Sequence, residues 1–106
     1  MSRSSAAQAQ VFAALGDATR LDLVARLCAG PLSIVQLTSH ATVSRQAITK
    51  HLEVLAQAGL VRDLKRGRER IFELENERLV DARRYLEHIS QRWDAALDRL
   101  KKLVED

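Results

Sequence analysis

Between Ser44 and Lys50 the chain sets two hydroxyls, a guanidinium, a carboxamide and an ammonium close together: Ser44, Arg45, Gln46, Thr49 and Lys50. Arg45 and Lys50 have donors suited to guanine O6 and N7, and Gln46 has the paired donor and acceptor that match adenine. Each such pairing discriminates by roughly 1–3 kcal/mol. Ser44 and Thr49 suit phosphate oxygens better. The plain alternative is that all five are solvated helix residues. A second cluster, Lys65, Arg66, Arg68 and Arg70 around Gly67, can neutralise phosphates or enter a minor groove. It can equally be an edge strand blunted by cations. No catalytic arrangement accompanies them: there is no Ser-x-x-Lys, no His-Glu-x-x-His and no phosphate-cradling glycine loop.

The elements around these residues follow from periodicity. Ser33 to Gly59 reads as two helices joined by Ala41-Thr42-Val43. Ile34 and Leu37 mark the first. Ser44 is placed to cap the second, since its hydroxyl can accept from the free N–H groups of the next turn. Ala47, Ile48, Leu52 and Leu55 give that helix one apolar side, opposite the polar cluster. These are the parts of a helix-turn-helix, whose second helix enters the major groove of DNA. A helical hairpin inside a core has the same local pattern. The next stretch separates the two. After Gly59, Leu60 to Leu74 alternates as a β-hairpin, with Arg66-Gly67 suited to the turn, and a helix-turn-helix followed by such a hairpin is the winged variety.

The remaining chain supports one domain of 106 residues. Residues 6–15 form a first helix with Val11, Phe12 and Leu15 on one face, after a short polar tail from Met1 to Ser5. Asp17 caps a second helix, 18–29, with Leu21, Val24, Leu27 and Cys28 as its expected inward stripe. From residue 77 to 104 the chain is helical again. There Leu79, Ala82, Leu86, Ile89, Trp93, Ala96, Leu100 and Leu103 recur in steps of three and four, an unbroken heptad seam. Packing on the first helix accounts for part of such a seam, and a second copy of the chain accounts for all of it. The expected interface therefore includes Phe12, Leu79, Leu86, Ile89, Trp93 and Leu100, and the expected state is a homodimer. Two-fold symmetry then sets the recognition helices about 34 Å apart.

Charge and composition narrow the classes. The formal charge is +3, which favours an anionic partner. Hydrophobic residues make up 46% of the chain, enough for a small core, so wholesale disorder is excluded. No apolar run is long enough to span a membrane, and the N-terminus lacks a signal-peptide core. The single cysteine, Cys28, excludes an internal disulfide and fits a reducing cytoplasm. Cys28 reads as a small buried hydrophobe, the alternative being a redox thiol. His51 reads as a packing and hydrogen-bonding residue, His40 as a helix-end cation, and His88 as lying beside the seam. Trp93 reads as an interface anchor, or as the wall of an apolar effector pocket.

Several motifs fall in register with one family. Gly16-Asp17-Ala18-Thr19-Arg20, Gly30-Pro31-Leu32-Ser33, Val43 through Leu52, Ala58-Gly59-Leu60-Val61 and Gly67-Arg68 together resemble the arsenical-resistance repressor (ArsR/SmtB) family. The resemblance runs from about Val11 to Leu74. It implies a mostly α fold with a two-stranded wing, in the order α-α-α-α-β-β-α. It also implies a homodimer that represses from a palindromic double-stranded operator. Carried over by position, Ser44, Arg45, Gln46, Thr49 and Lys50 become the recognition contacts, with Gly67 and Arg68 at the wing tip. The family's metal sensors carry a Cys-x-Cys-like pair where this chain has Ser33 and Val35. Their other site draws on acidic and histidine ligands of the last helix, where this chain offers His88 and Asp81, too few for a closed zinc site. No metal and no cofactor is therefore expected. This reading leaves room for a small-molecule effector, and the sequence names none. The competing function is a protein-interaction module on the same scaffold, which has no need of the polar groups from Arg45 to Lys50.

Overall fold

The computed structural model describes residues 3–39 and 41–105, with side chains from Ala6 onward. His40, expected to end a helix, lies outside the described residues. Helix α1 runs from Arg3 to Leu15, so the helix begins three residues before the expected Ala6 and takes in part of the polar tail. Helix α2 is Ala18–Leu27. Asp17 caps it in extended conformation, accepting from the Arg20 amide at 3.0 Å.

The inward stripe of α2 differs from expectation. Leu23 and Leu27 are buried, whereas Leu21 is 52% exposed and Cys28 is exposed. The helix carries apolar residues on two faces. Leu21 and Leu23 lie about 200° apart around the axis, so packing against α1 and α4 can bury only one of them. Cys28 is therefore a surface thiol at the helix end rather than a core residue.

A two-residue strand not anticipated from the sequence, β1 (Leu32–Ser33), precedes helix α3 (Ile34–Thr38). Ser33 ends the strand and begins the helix. Its hydroxyl accepts from the Gln36 amide at 3.1 Å, and the Gln36 side chain accepts from the Ser33 amide at 2.9 Å, a reciprocal capping box.

Helix α4 (Arg45–Gln57) is closed at both ends. Ser44 Oγ accepts from the Ala47 amide at 3.1 Å. At the other end Gly59 takes φ +79°. Its amide donates to Ala56 and that of Leu60 to Leu55, at 3.0 and 2.9 Å. This is the Schellman closure, with Leu55 and Leu60 both buried beside it as the motif favours.

Strands β2 (Val61–Arg66) and β3 (Glu69–Leu74) pair antiparallel, and β1 adds to the other edge of β3, giving the order β1-β3-β2. Arg66 pairs with Glu69, so the turn is Gly67-Arg68, one residue later than expected. Of the two turn residues only Gly67 has positive φ (+61°), the sign pattern of a type II′ turn, which suits the right-handed twist of a hairpin.

Helix α5 spans Asn76–Glu105, 30 residues, or about 45 Å at 1.5 Å per residue. The core is a single cluster from every helix and the sheet: Val11, Leu23, Leu37, Ile48, Leu52, Leu55, Leu60, Phe72 and Ala82 among others. Of α5 only the first turns reach it. The chain's radius of gyration is 18.0 Å, against about 13 Å for a compact chain of this length. The excess is the unpacked remainder of α5.

Candidate nucleic-acid interface

The packing of α4 determines what it shows to solvent. Ile48, Leu52 and Leu55 are buried on its inner side. The helical period then turns positions 45, 46, 49, 50 and 53 outward. Ser44, Arg45, Gln46, Thr49, Lys50 and Glu53 line one shallow open groove along the helix. Arg45, Gln46 and Lys50 are exposed there. Thr49 Oγ1 donates to the Arg45 carbonyl at 2.9 Å, and Ser44 serves as the cap, so these two hydroxyls already have local roles. Glu53 joins this face without being among the residues expected there, although it stands three residues after Lys50 and four after Thr49. A carboxylate there accepts from cytosine N4 and disfavours nearby phosphate.

The hairpin divides its cations into two sets. Arg62 is bonded to Glu73 and lies 2.8 Å from Glu75. Glu73 first, then Glu75, holds the guanidinium more firmly protonated than usual. Arg70 donates to Asp63 at 2.8 and 3.2 Å, and its guanidinium sits 5.3 Å over the Phe72 ring. Cross-strand register explains the second set of contacts: Arg70 faces Lys65 directly, a like-charge pair, and turns instead to the diagonal Asp63. Lys65, Arg66 and Arg68 are exposed and make no ion pair among the described residues. The free charge is thus concentrated at the tip, and Arg70 belongs to the sheet that presents it.

Behind α4, His51 turns inward. Its Nδ1 lies 3.2 Å from the Arg20 guanidinium and 3.7 Å from the Asp17 carboxylate. The Asp17 carboxyl titrates below its ordinary range, first because it accepts the Arg20 amide, then through the Arg20 charge, with desolvation opposing.

The last helix shows a different surface. Leu79 packs against the core and Ala82 is buried within it. Phe12 packs on Tyr85 at 5.9 Å between ring centroids. Phe12, Leu15, Leu79, Ala82 and Leu86 border an open apolar groove between α1 and α5. Farther along, Leu86, Ile89, Trp93 and Leu100 are exposed, Trp93 by 65%.

A resident metal at the family's sensing positions does not fit. The Ser33 oxygen is engaged in the capping box, Val35 has no donor atom, and no three His, Cys, Asp or Glu side chains converge among the described residues. Among those residues no helix is long and apolar enough to cross a membrane.

Comparison with known proteins agrees with this architecture. A helix-turn-helix domain model matches residues 15–63. The HTH-type transcriptional regulator Rv2034 of Mycobacterium tuberculosis is 35% identical over 96 residues, covering 91% of this chain and 87% of that protein. The solved structure of an ArsR-like transcriptional regulator from Rhodococcus sp. RHA1 is 39% identical, covers 93% of each chain and superposes with a TM-score of 0.79. The transcriptional repressor SdpR of Bacillus subtilis is 32% identical over 57 residues, 54% of this chain and 63% of that one. These relatives are regulators rather than enzymes. The chain belongs to the ArsR family of winged helix-turn-helix proteins, and it is a DNA-binding transcriptional regulator.

Proposed function

We propose that the protein is a homodimeric repressor that occupies a palindromic operator, with α4 of each copy in successive major grooves. The observation that carries this reading is the contrast on one small surface. The outward face of α4 is polar and capped from Ser44 to Glu53, and α5 exposes an apolar stripe over several turns. Two copies joined along α5 remove the apolar face from water. A two-fold axis then presents two polar helices about one DNA turn apart.

In this arrangement Arg45, Gln46 and Lys50 read base edges, with Glu53 at the far end of the same groove. Ser44 and Thr49 stand nearest phosphate. Lys65, Arg66 and Arg68 at the wing neutralise the backbone or enter the minor groove, while Gly67 makes the turn and Arg70 stiffens it. The interface residues are Phe12, Leu79, Leu86, Ile89, Trp93 and Leu100. Repression is supported by the name that SdpR carries, and action on DNA supports a cytoplasmic location. The apolar groove between α1 and α5 is the space that the partner's helix or a small effector would fill.

The test is fluorescence anisotropy on DNA from the protein's own promoter, titrated with salt. A dimeric complex is expected, weakening steeply as salt rises because bound counterions are released. Arg45→Ala with Gln46→Ala lowers preference for the operator over random DNA. Arg66→Ala with Arg68→Ala weakens both DNAs alike and reduces the salt slope by about 0.9 for each phosphate no longer neutralised. Absence of any complex at low salt defeats the reading.

A further inference from the structure

We infer that Arg20 is a positioning residue for operator recognition: through His51 it fastens the recognition helix to the carbonyl end of α1. The inference rests on the reading of α4 as the base-contacting helix.

Helix α1 ends at Leu15 and its last carbonyls lie beyond the helical ladder, as in every α-helix; that of Ala13 accepts from the Gly16 amide at 3.2 Å. Arg20 comes back from the first turn of α2 to meet them. Its Nε donates to the Ala14 carbonyl, one terminal nitrogen reaches the Ala13 carbonyl at 3.5 Å, and the other lies 3.2 Å from His51 Nδ1. A guanidinium has only donors, so in this contact Nδ1 accepts and the ring proton sits on Nε2. The Asp17 carboxylate, 3.7 Å from the same nitrogen, is beyond hydrogen-bonding distance. It caps α2 and so holds the backbone from which Arg20 projects.

The inner face of α4 explains why this contact matters. Ile48, Leu52 and Leu55 fix how deep the helix sits. Apolar burial is non-directional and resists sliding or rolling of the helix poorly. Two directional contacts supply what burial lacks. Gln10 Nε2 donates to the Gln57 carbonyl at 3.2 Å near the end of α4. Arg20 grips His51, the residue directly after Lys50. Both originate on or beside α1, which packs on α5. The roll of the reading face is thereby referred to the helices that are proposed to join the two copies. Recognition groups need placement within about 0.5 Å, and only a planar fork spans two carbonyls and an imidazole at once. Lysine retains the charge and loses that geometry.

The experiment compares wild type with Arg20→Lys, His51→Leu, His51→Asn and the double variant Arg20→Lys/His51→Leu. All are measured as intact protein at a temperature where circular dichroism shows each one fully folded. Asn keeps an acceptor close to the place of Nδ1. The expected result is a loss on the order of 10-fold in operator affinity for Arg20→Lys and for His51→Leu. Affinity for random DNA stays unchanged, the double variant is no weaker than either single one, and His51→Asn stays near wild type. In the free protein, the His51 ring nitrogen resonances move in Arg20→Lys. The inference is overturned if both single variants keep wild-type operator affinity, if random DNA suffers equally, or if the ring resonances stay put. Wild type that shows no operator preference overturns this inference and the function above together. Wild type that binds while the variants bind equally well overturns this inference alone.

Discussion

Helices α4 and α5 present opposite problems. Helix α4 is finished within one chain: capped by Ser44, closed by Gly59, apolar inward and polar outward. Helix α5 is finished only in its first turns, and beyond Ala82 its apolar positions face water. The same residue type, leucine, is fully buried at position 52 and 58% exposed at position 100. An amphipathic helix whose polar side faces solvent is stable as it stands and can wait for a charged partner. One whose apolar side faces solvent has the usual mark of a site of association, which is why the proposed contact between copies is drawn along α5.

This contrast can be broken by identical substitutions at the two places. Leu52→Ala removes a core side chain and lowers unfolding free energy by about 2–5 kcal/mol. Denaturant titration measures it. Leu100→Ala leaves the core intact, and its effect is read in sedimentation equilibrium as a weaker dimer. Equal losses of fold stability at both positions, measured at a concentration where the protein is monomeric, would show that the distal part of α5 packs within its own chain.

The next largest effect belongs to Trp93→Asp, which puts a charge at the centre of the α5 face. It weakens self-association by at least about 30-fold, the hot-spot threshold of ~2 kcal/mol. Helix content stays near wild type, and operator affinity falls with the dimer. A Trp93→Asp protein that remains dimeric at micromolar concentration removes α5 from the interface.

A smaller effect sharpens the account of α4. Ser44→Ala deletes the cap and costs about 1 kcal/mol of stability. Operator affinity should fall little beyond that, because the hydroxyl is already engaged by Ala47.

The smallest effect is one of pH. Asp17 titrates lower in the folded chain than in the unfolded one, first because of the Arg20 amide. Its contribution is therefore complete above the ordinary aspartate value and fades as pH falls through the folded value, in the range below about pH 4. Asp17→Asn keeps a capping side chain and removes the titration. The variant should show a flatter decline of the urea midpoint with acid, and an unchanged slope would remove Asp17 from the acid response.

Much of this organisation is local and so was open to reading in one dimension. Caps, periodicity and glycine positions concern residues within a turn of one another. That is why Ser44, the two faces of α4, the hairpin and the length of α5 could all be anticipated. The two-residue strand β1 could not, because two positions cannot display an alternation. Its partners Phe72 and Ile71 lie some forty residues away. The burial of Leu23 in place of Leu21 and the exposure of Cys28 were likewise hidden, since α2 offers two apolar faces and its neighbours choose between them. The division of the hairpin cations depends on strand register, which pairs Arg62 with Glu73 and sets Arg70 diagonal to Asp63.

What the sequence determined alone was the two faces of α4, the residues that cap and close it, and the extent of α5 to within a residue or so, because these follow from backbone geometry over three or four residues. Only the tertiary structure decided which competing face is buried, which arginines remain free, and that Arg20 reaches His51. Those outcomes depend on groups brought together from distant parts of the chain, and no spacing along it encodes their distance in space.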